Sequence, residues 1–135
     1  MKFLSTLSIL CFSTILIGTS CSKPGICQLP HYQRKVQFAL YTDKDFSNDN
    51  HNITFTLSIQ KPPGQTLWDS VLAPMKIKEI PNFEQKLVVE KLVPGNDTST
   101  LKVGFSYSIE SVGNSWYSEL FNAGETFKIV DFNFQ

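Results

Sequence analysis

The residues best suited to binding chemistry lie in a polar segment at positions 42–50. Oxygen-bearing side chains alternate along this segment, at Asp43, Asp45, Ser47 and Asp49. Hard cations such as Ca²⁺ prefer oxygen ligands, so the three acids are candidate calcium ligands. Asn48 and Thr54 replace the glycine and the bidentate Glu of an EF-hand loop, so a further ligand would have to come from elsewhere. The alternative is an ordinary loop, because Asp and Asn favour turns in which they bond to their own backbone.

A second candidate site is aromatic. Trp68 and Trp116 could form an exposed platform on which a sugar ring stacks, because an aromatic side chain offers a flat apolar face and a polar edge. Trp116 and Tyr117 are adjacent, so in a regular strand they point to opposite faces and at least one belongs to the core. Aromatic residues are also favoured in strands for packing alone. Both interpretations, a glycan platform and core packing, stay open for these side chains.

Catalytic chemistry has little support in the sequence. The two histidines, His31 and His51, lie in no recognisable nucleophile motif, and no group of His and Cys has the spacing of a zinc site. The chain balances 12 Lys and Arg against 12 Asp and Glu, which removes the electrostatic attraction that nucleic-acid binding requires. We therefore expect a protein that is not an enzyme, uses no cofactor and binds no nucleic acid.

The N-terminus has the anatomy of a secretory signal peptide. Lys2 precedes an uncharged, largely apolar run at positions 3–17, and small residues at 18–20 lead to Cys21. The apolar run is shorter than the roughly 20 residues that a transmembrane helix needs. This pattern predicts export and removal of the leader.

The end of that leader resembles the lipobox of bacterial lipoproteins. Positions 17–21 read Ile-Gly-Thr-Ser-Cys, with Gly18 where Leu or Val is usual. In that family the cysteine receives a diacylglycerol group, the signal is cut before it, and the new amino group is acylated. The resemblance implies that Cys21 is lipidated and that its acyl chains hold the protein in a membrane of the bacterial cell envelope, facing the periplasm or the exterior. It implies nothing about the domain that follows.

Plain secretion is the alternative for the same residues. Gly18 and Ser20 also suit an ordinary signal peptidase, and Cys21 could then form a disulfide with Cys27 in an oxidising compartment. Glycosylation sequons begin at Asn52 and Asn96, which would suit such a protein.

The boundaries follow from a change in pattern after the leader. Residues 1–20 are assigned to the signal peptide, 21–31 to the lipidated cysteine and a tether that contains two prolines and a glycine, and 32–135 to one domain. Within that domain, apolar residues recur at every second position, most clearly at 52–60 and 101–109. This alternation predicts strands with one buried face.

About eight short strands separated by turns predict an all-β domain, a single antiparallel β-sandwich of the immunoglobulin-like kind, with a small β-barrel as the alternative. Further strands are expected at 36–41, 65–72, 75–80, 86–93, 115–121 and 126–134. In the last of these the apolar set changes phase, from Phe127 and Ile129 to Val130, Phe132 and Phe134. A bulge, or burial of both faces, would explain that change.

These patterns predict an envelope lipoprotein that carries a non-enzymatic binding or structural domain. The predicted partner is the membrane, through the lipid on Cys21, while the protein or glycan that the domain binds stays unidentified. The alternative function is that of a secreted domain without lipid that binds carbohydrate or calcium.

Overall fold

The computed structural model describes residues 33–135. The signal peptide, Cys21, Cys27, the tether and His31 lie outside these residues, so the assignments made for them stay predictions. The described part forms eight strands: β1 (Lys35–Tyr41), β2 (Asn52–Lys61), β3 (Gln65–Val71), β4 (Met75–Lys76), β5 (Leu87–Leu92), β6 (Leu101–Ile109), β7 (Gly113–Phe121) and β8 (Phe127–Asn133). Three single 3-10 turns, Ile77–Glu79, Phe83–Gln85 and Pro94–Asn96, complete it.

The strands form two sheets that face each other across one core. The small sheet has the order β5-β1-β8, and the large sheet has the order β3-β2-β6-β7 with β4 added beside β2. The prediction of an all-β domain is confirmed, and the barrel alternative is wrong because the two sheets are separate. One pair departs from the predicted antiparallel arrangement, since β1 and β8 run parallel. Parallel neighbours need a long connection, and here the rest of the domain provides it.

The core is built mainly from the inward positions of β1, β2, β6, β7 and β8. The fully buried side chains include Val36, Phe38, Leu40, Ile53, Phe55, Leu57, Ile59, Leu101, Val103 and Val130. Phe105 of the large sheet contacts two strands of the facing sheet, with its ring centroid 5.6 Å from that of Phe38 on β1 and 5.3 Å from that of Phe132 on β8. The alternation along β2 and β6 is therefore explained by burial of one face, as predicted.

Two strand predictions need correction. The segment expected as a strand at 75–80 is a strand only over β4 and then turns, because the Glu79 carboxylate accepts a hydrogen bond from the Lys76 backbone at 2.8 Å and favours a 3-10 turn. The phase change in β8 reflects neither a bulge nor burial on both faces, since its register with β1 is continuous. Instead Phe127 and Ile129 point outward and are 44% and 49% exposed.

A buried arginine fixes the point at which the chain enters the domain. Arg34 is 3% exposed, and its guanidinium lies 3.9 Å from the centre of the Phe121 ring. Its five hydrogen bonds all go to backbone carbonyls, those of Asp97, Ser99, Phe121, Asn122 and Glu125. The start of β1 is thereby joined to the β5–β6 and β7–β8 connections. Within residues 33–135, no helix is long and apolar enough to cross a membrane.

Candidate functional site

The outer face of the large sheet combines small hydroxyl groups with one tryptophan and two other exposed apolar side chains, Val71 and Leu120. Since side chains alternate across a strand, the residues that do not enter the core of β2, β6 and β7 share this outer face. They include Thr54, Thr56, Ser58, Ser106, Ser108, Asn114, Trp116 and Ser118. We call this surface the Trp116 face.

Trp116 is the dominant apolar feature of that face. Its side chain is 73% exposed, and it lies in one cross-strand row with Ser106 and Thr56. The neighbouring Tyr117 points the other way and stacks on Phe132, with ring centroids 5.1 Å apart. The prediction that these two aromatic residues point to opposite faces is confirmed. An exposed indole of this kind has no packing role inside the domain, so its large apolar surface is free for a ligand.

A shallow depression lies next to Trp116. It has a volume of about 240 Å³, with Gly104 in its floor and Ser58, Ser118 and Lys102 at its sides. A Cβ on Gly104 would collide with the carbonyl oxygen of Tyr117 and lie 2.7 Å from the Cα of Ser118. Glycine is therefore required here by the close approach of β7, and its missing side chain leaves the depression open.

A second depression continues the first along the strands. It has a volume of about 230 Å³ and is lined by Thr54, Thr56, Ser106, Tyr107, Ser108 and Asn114. Ser106 belongs to both depressions, and Asn114 and Trp116 are alternate residues of β7. Two polar hollows thus adjoin one exposed aromatic ring, and hydroxyl and amide groups that both donate and accept hydrogen bonds line them.

The other candidate tryptophan lies on the opposite side of the sheet. Trp68 pairs with Ile59, whose side chain is fully buried, and its ring centroid is 5.9 Å from that of Phe38. Lys91 covers it from the far side, with Nζ 5.2 Å from the ring centre. Trp68 therefore packs against the core, and the structure does not bring the two tryptophans together into a platform.

The three candidate calcium ligands are turned to different partners. Asp43 accepts a hydrogen bond from the amide of Asn133 at 2.7 Å, and Asp45 accepts one from the backbone of Ser47 at 2.9 Å. Asp49 accepts one from the backbone of His51 at 3.0 Å. Within residues 33–135, no group of three or more His, Cys, Asp and Glu side chains could hold a metal ion. The structure thus agrees with the turn interpretation of this loop.

These local hydrogen bonds also lower the pKa values of two of the three acids. The hydrogen bond from the backbone of Ser47, and then that from its hydroxyl, lower the pKa of Asp45. The backbone and then the ring of His51 lower the pKa of Asp49 in the same way. Both effects stabilise the ionised carboxylate through groups two residues away in sequence, as expected for Asx turns.

The loop also borders an open hollow of about 730 Å³ at one end of the sandwich, where Asp45, Asp49 and His51 face Glu110 and Ser111. The ring of His51 lies 2.7 Å from Asp49, and its side chain is 58% exposed. A carboxylate beside a histidine ring can orient that histidine as a general base for a nucleophilic hydroxyl. Among the described residues, however, no hydroxyl group hydrogen-bonds to His51. We therefore place the best-formed site on the Trp116 face.

The sequence predicts Trp68 and Trp116 as candidate ligand-binding residues but assigns no role to the polar residues around Trp116 or to Gly104. The outward Ser and Thr residues of two adjacent strands are the signal that could have indicated this surface: Thr54, Thr56, Ser58, Ser106 and Ser108. Comparison with protein-family models, curated proteins and solved structures gave no match to this chain.

Proposed function

We propose that this protein is a membrane-anchored lipoprotein of the bacterial cell envelope whose β domain binds carbohydrate on the Trp116 face and catalyses no reaction. The observation that carries the ligand class is the 73% exposure of Trp116 beside two depressions whose linings include several small hydroxyl side chains. The anchor is inferred from the lipobox-like sequence that ends at Cys21.

The chemistry of the Trp116 face suits a sugar better than a lipid or a charged ligand. A pyranose ring presents C–H groups that stack on an indole and hydroxyls that exchange hydrogen bonds with Ser, Thr and Asn side chains. The depressions on this face contain one formal charge, on Lys102, so they offer no strong selection for an anion or a cation. Ligands with two or more sugar rings fit the arrangement, because two hollows meet at Ser106.

An immunoglobulin-like topology remains part of this proposal. It is supported by two facing sheets of short strands and by the pairing of the first strand with the last. The sandwich supplies a rigid base for the face, because Trp116 and the hydroxyl groups stand on hydrogen-bonded strands rather than on loops.

The ligand proposal is tested with a glycan array followed by titration of the best glycan. Trp116→Ala should weaken binding by roughly tenfold or more, since stacking contributes over 1 kcal/mol. Phe127→Ala is the matched control, because it also removes an exposed aromatic ring, but from the small sheet. If no glycan binds the folded protein, or if both variants bind equally well, the carbohydrate proposal is wrong.

The anchor proposal is tested by expressing the wild type and Cys21→Ser in a Gram-negative host. We expect the wild type in the membrane fraction, with an intact mass increased by a diacylglyceryl group and an acyl chain, and the variant without either. If both proteins are soluble and start at the same residue, the secreted alternative is correct. A disulfide between Cys21 and Cys27 then becomes the feature to examine.

A further inference from the structure

The outer face of the small sheet exposes several large apolar side chains that nothing in the described domain covers. Four side chains of its two edge strands are close to half exposed, with values of 48% for Val88, 48% for Leu92, 44% for Phe127 and 49% for Ile129. Leu92, Lys35 and Phe127 form one cross-strand row, and Ile129 lies opposite Gln37. We call these four residues the apolar face. Lys35, Gln37 and Glu90 stand among these side chains, so the surface mixes apolar and charged groups, as protein surfaces that lie at the headgroup boundary of a membrane do.

The charges around the apolar face are paired with each other. Lys35 lies 3.0 Å from Glu90, and Lys86 lies 3.0 Å from Asp131. The two acids on this face are therefore neutralised by lysines beside them. The face has no excess negative charge that an anionic lipid surface would repel.

The chain enters the domain at one end of this face. Arg34 is locked by its five carbonyl partners, and the next residue, Lys35, stands between Leu92 and Phe127. Residues 22–34 can span at most about 45 Å when fully extended, at roughly 3.5 Å per residue. If Cys21 is lipidated, the apolar face is thus always within reach of the bilayer and begins where the tether ends.

We propose that the apolar face rests on the membrane that holds Cys21, with Phe127, Leu92, Ile129 and Val88 buried at the boundary between headgroups and acyl chains. This inference rests on the lipid anchor of the proposed function. Tethering makes the contact intramolecular, so burial of a few side chains suffices although it would be too weak for a free domain. The Trp116 face, on the opposite side of the sandwich, then points away from the bilayer.

A second copy of the chain is a poorer occupant for the same surface. Four half-exposed side chains offer a few hundred Å² of apolar surface, whereas a stable interface buries about 800 Å² on each partner. A membrane needs no complementary shape, and a protein anchored in it is always next to it. Docking also predicts a fixed orientation of the domain, which can be measured.

The experiment uses the full lipidated protein in vesicles of phosphatidylethanolamine and phosphatidylglycerol, with or without brominated phosphatidylcholine. Phe127→Trp places a fluorescent probe on the apolar face. Leu120→Trp is the matched control, because Leu120 is 57% exposed on an outward position of β7 in the large sheet. We expect brominated lipid to cause a clear loss of the added emission in Phe127→Trp and no loss in Leu120→Trp. Ile129→Trp serves as a second probe if the first variant melts early.

The outcomes distinguish a failure of membrane docking from a failure of the lipid anchor. If the protein does not float with the vesicles and carries no lipid, the anchor proposal fails and docking fails with it. If it floats and the brominated lipid quenches both probes equally or neither, docking alone is overturned. A blue shift of the Phe127→Trp emission without bromine quenching would instead indicate that a second copy covers the face.

Discussion

The two outer faces of the sandwich differ in what they expose, although the same alternation rule produces both. The Trp116 face presents small hydroxyl groups around one indole, whereas the apolar face presents four aliphatic or aromatic side chains at the edges of the small sheet. A sheet face that needs only solubility would present charged and long polar side chains. Both faces carry some charged groups, such as Lys102 on one and the Lys35–Glu90 pair on the other, but each also exposes large apolar side chains, and we propose a contact for each on that basis.

In the proposals made above, the domain separates two tasks between its outer faces. One core, made by rings from both sheets, holds the faces back to back, so a change confined to one face should leave the other intact. Variants of the core should instead remove both activities at once. Substitutions in the core and on the Trp116 face test that separation.

The largest effect is expected from Phe105→Ala. Phe105 is 2% exposed, and its ring contacts Phe38 and Phe132 of the facing sheet. Removing a buried phenyl ring costs about 3–5 kcal/mol of unfolding free energy, through lost burial and the cavity left behind. Chemical denaturation measures this loss, with Val71→Ala at a 63% exposed site as the control. A loss below about 1 kcal/mol would mean that the sheets are not joined by this contact.

Arg34→Met should break the attachment of the small sheet to the connections around it. The variant leaves five backbone carbonyls without the guanidinium that now donates to them. Buried acceptors without partners are costly, so we expect about 3 kcal/mol of destabilisation. Lys35→Met is the control, because it removes a partly exposed cation that contacts Glu90 and the Phe127 ring and should change stability by about 1 kcal/mol or less. Equal effects in thermal melting would contradict the structural role of Arg34.

Gly104→Ala should damage the Trp116 face and spare the apolar face. The new methyl group would collide with the backbone of Tyr117 and Ser118, which pushes β7 away from β6. Overpacking of this kind costs about 1–3 kcal/mol, and the shift of Trp116 should also weaken glycan binding. Ser108→Ala, on the same face of β6, is the control for stability. If Gly104→Ala melts at the wild-type temperature and binds glycan with wild-type affinity, the close approach of the strands is unimportant.

The sequence predicted the strands better than it predicted the surfaces. Alternation located β2 and β6 because each has one face turned to the core, and it predicted that Trp116 and Tyr117 point to opposite faces without indicating which of them is exposed. It could not place Trp68, since the face on which a residue lies depends on register, and a register shift between Ile59 and Gln60 intervenes. The interpretation of the phase change in β8, as a bulge or as burial of both faces, is wrong for a related reason. Periodicity marks apolar residues on both faces but cannot tell burial from exposure.

A smaller effect should arise in acid at the connection between the two sheets. The ammonium group of Lys61, and then the hydroxyl and backbone N–H of Ser99, lower the pKa of Asp97 to about 2. A depressed pKa means that this stabilisation is complete above the ordinary value near 4 and is lost as the pH falls towards 2. Lys61 is 41% exposed, so solvent screens the pair and we expect about 1 kcal/mol. Unfolding of the wild type and Asp97→Asn at pH 7 and pH 2 measures it, and a difference that is unchanged by pH would exclude the contribution.

The smallest effect is expected from calcium at the loop between β1 and β2. A cation that binds only the folded state raises the melting temperature by mass action. Because Asp43, Asp45 and Asp49 are each committed to a separate hydrogen bond, we expect millimolar Ca²⁺ and EDTA to give the same melting temperature. Asp45→Asn is the control, since it keeps an acceptor for Ser47 and removes one charge. A rise with Ca²⁺ that this variant abolishes would mean that the carboxylates reorganise around an ion, and the loop would then be a third binding region beside the two faces.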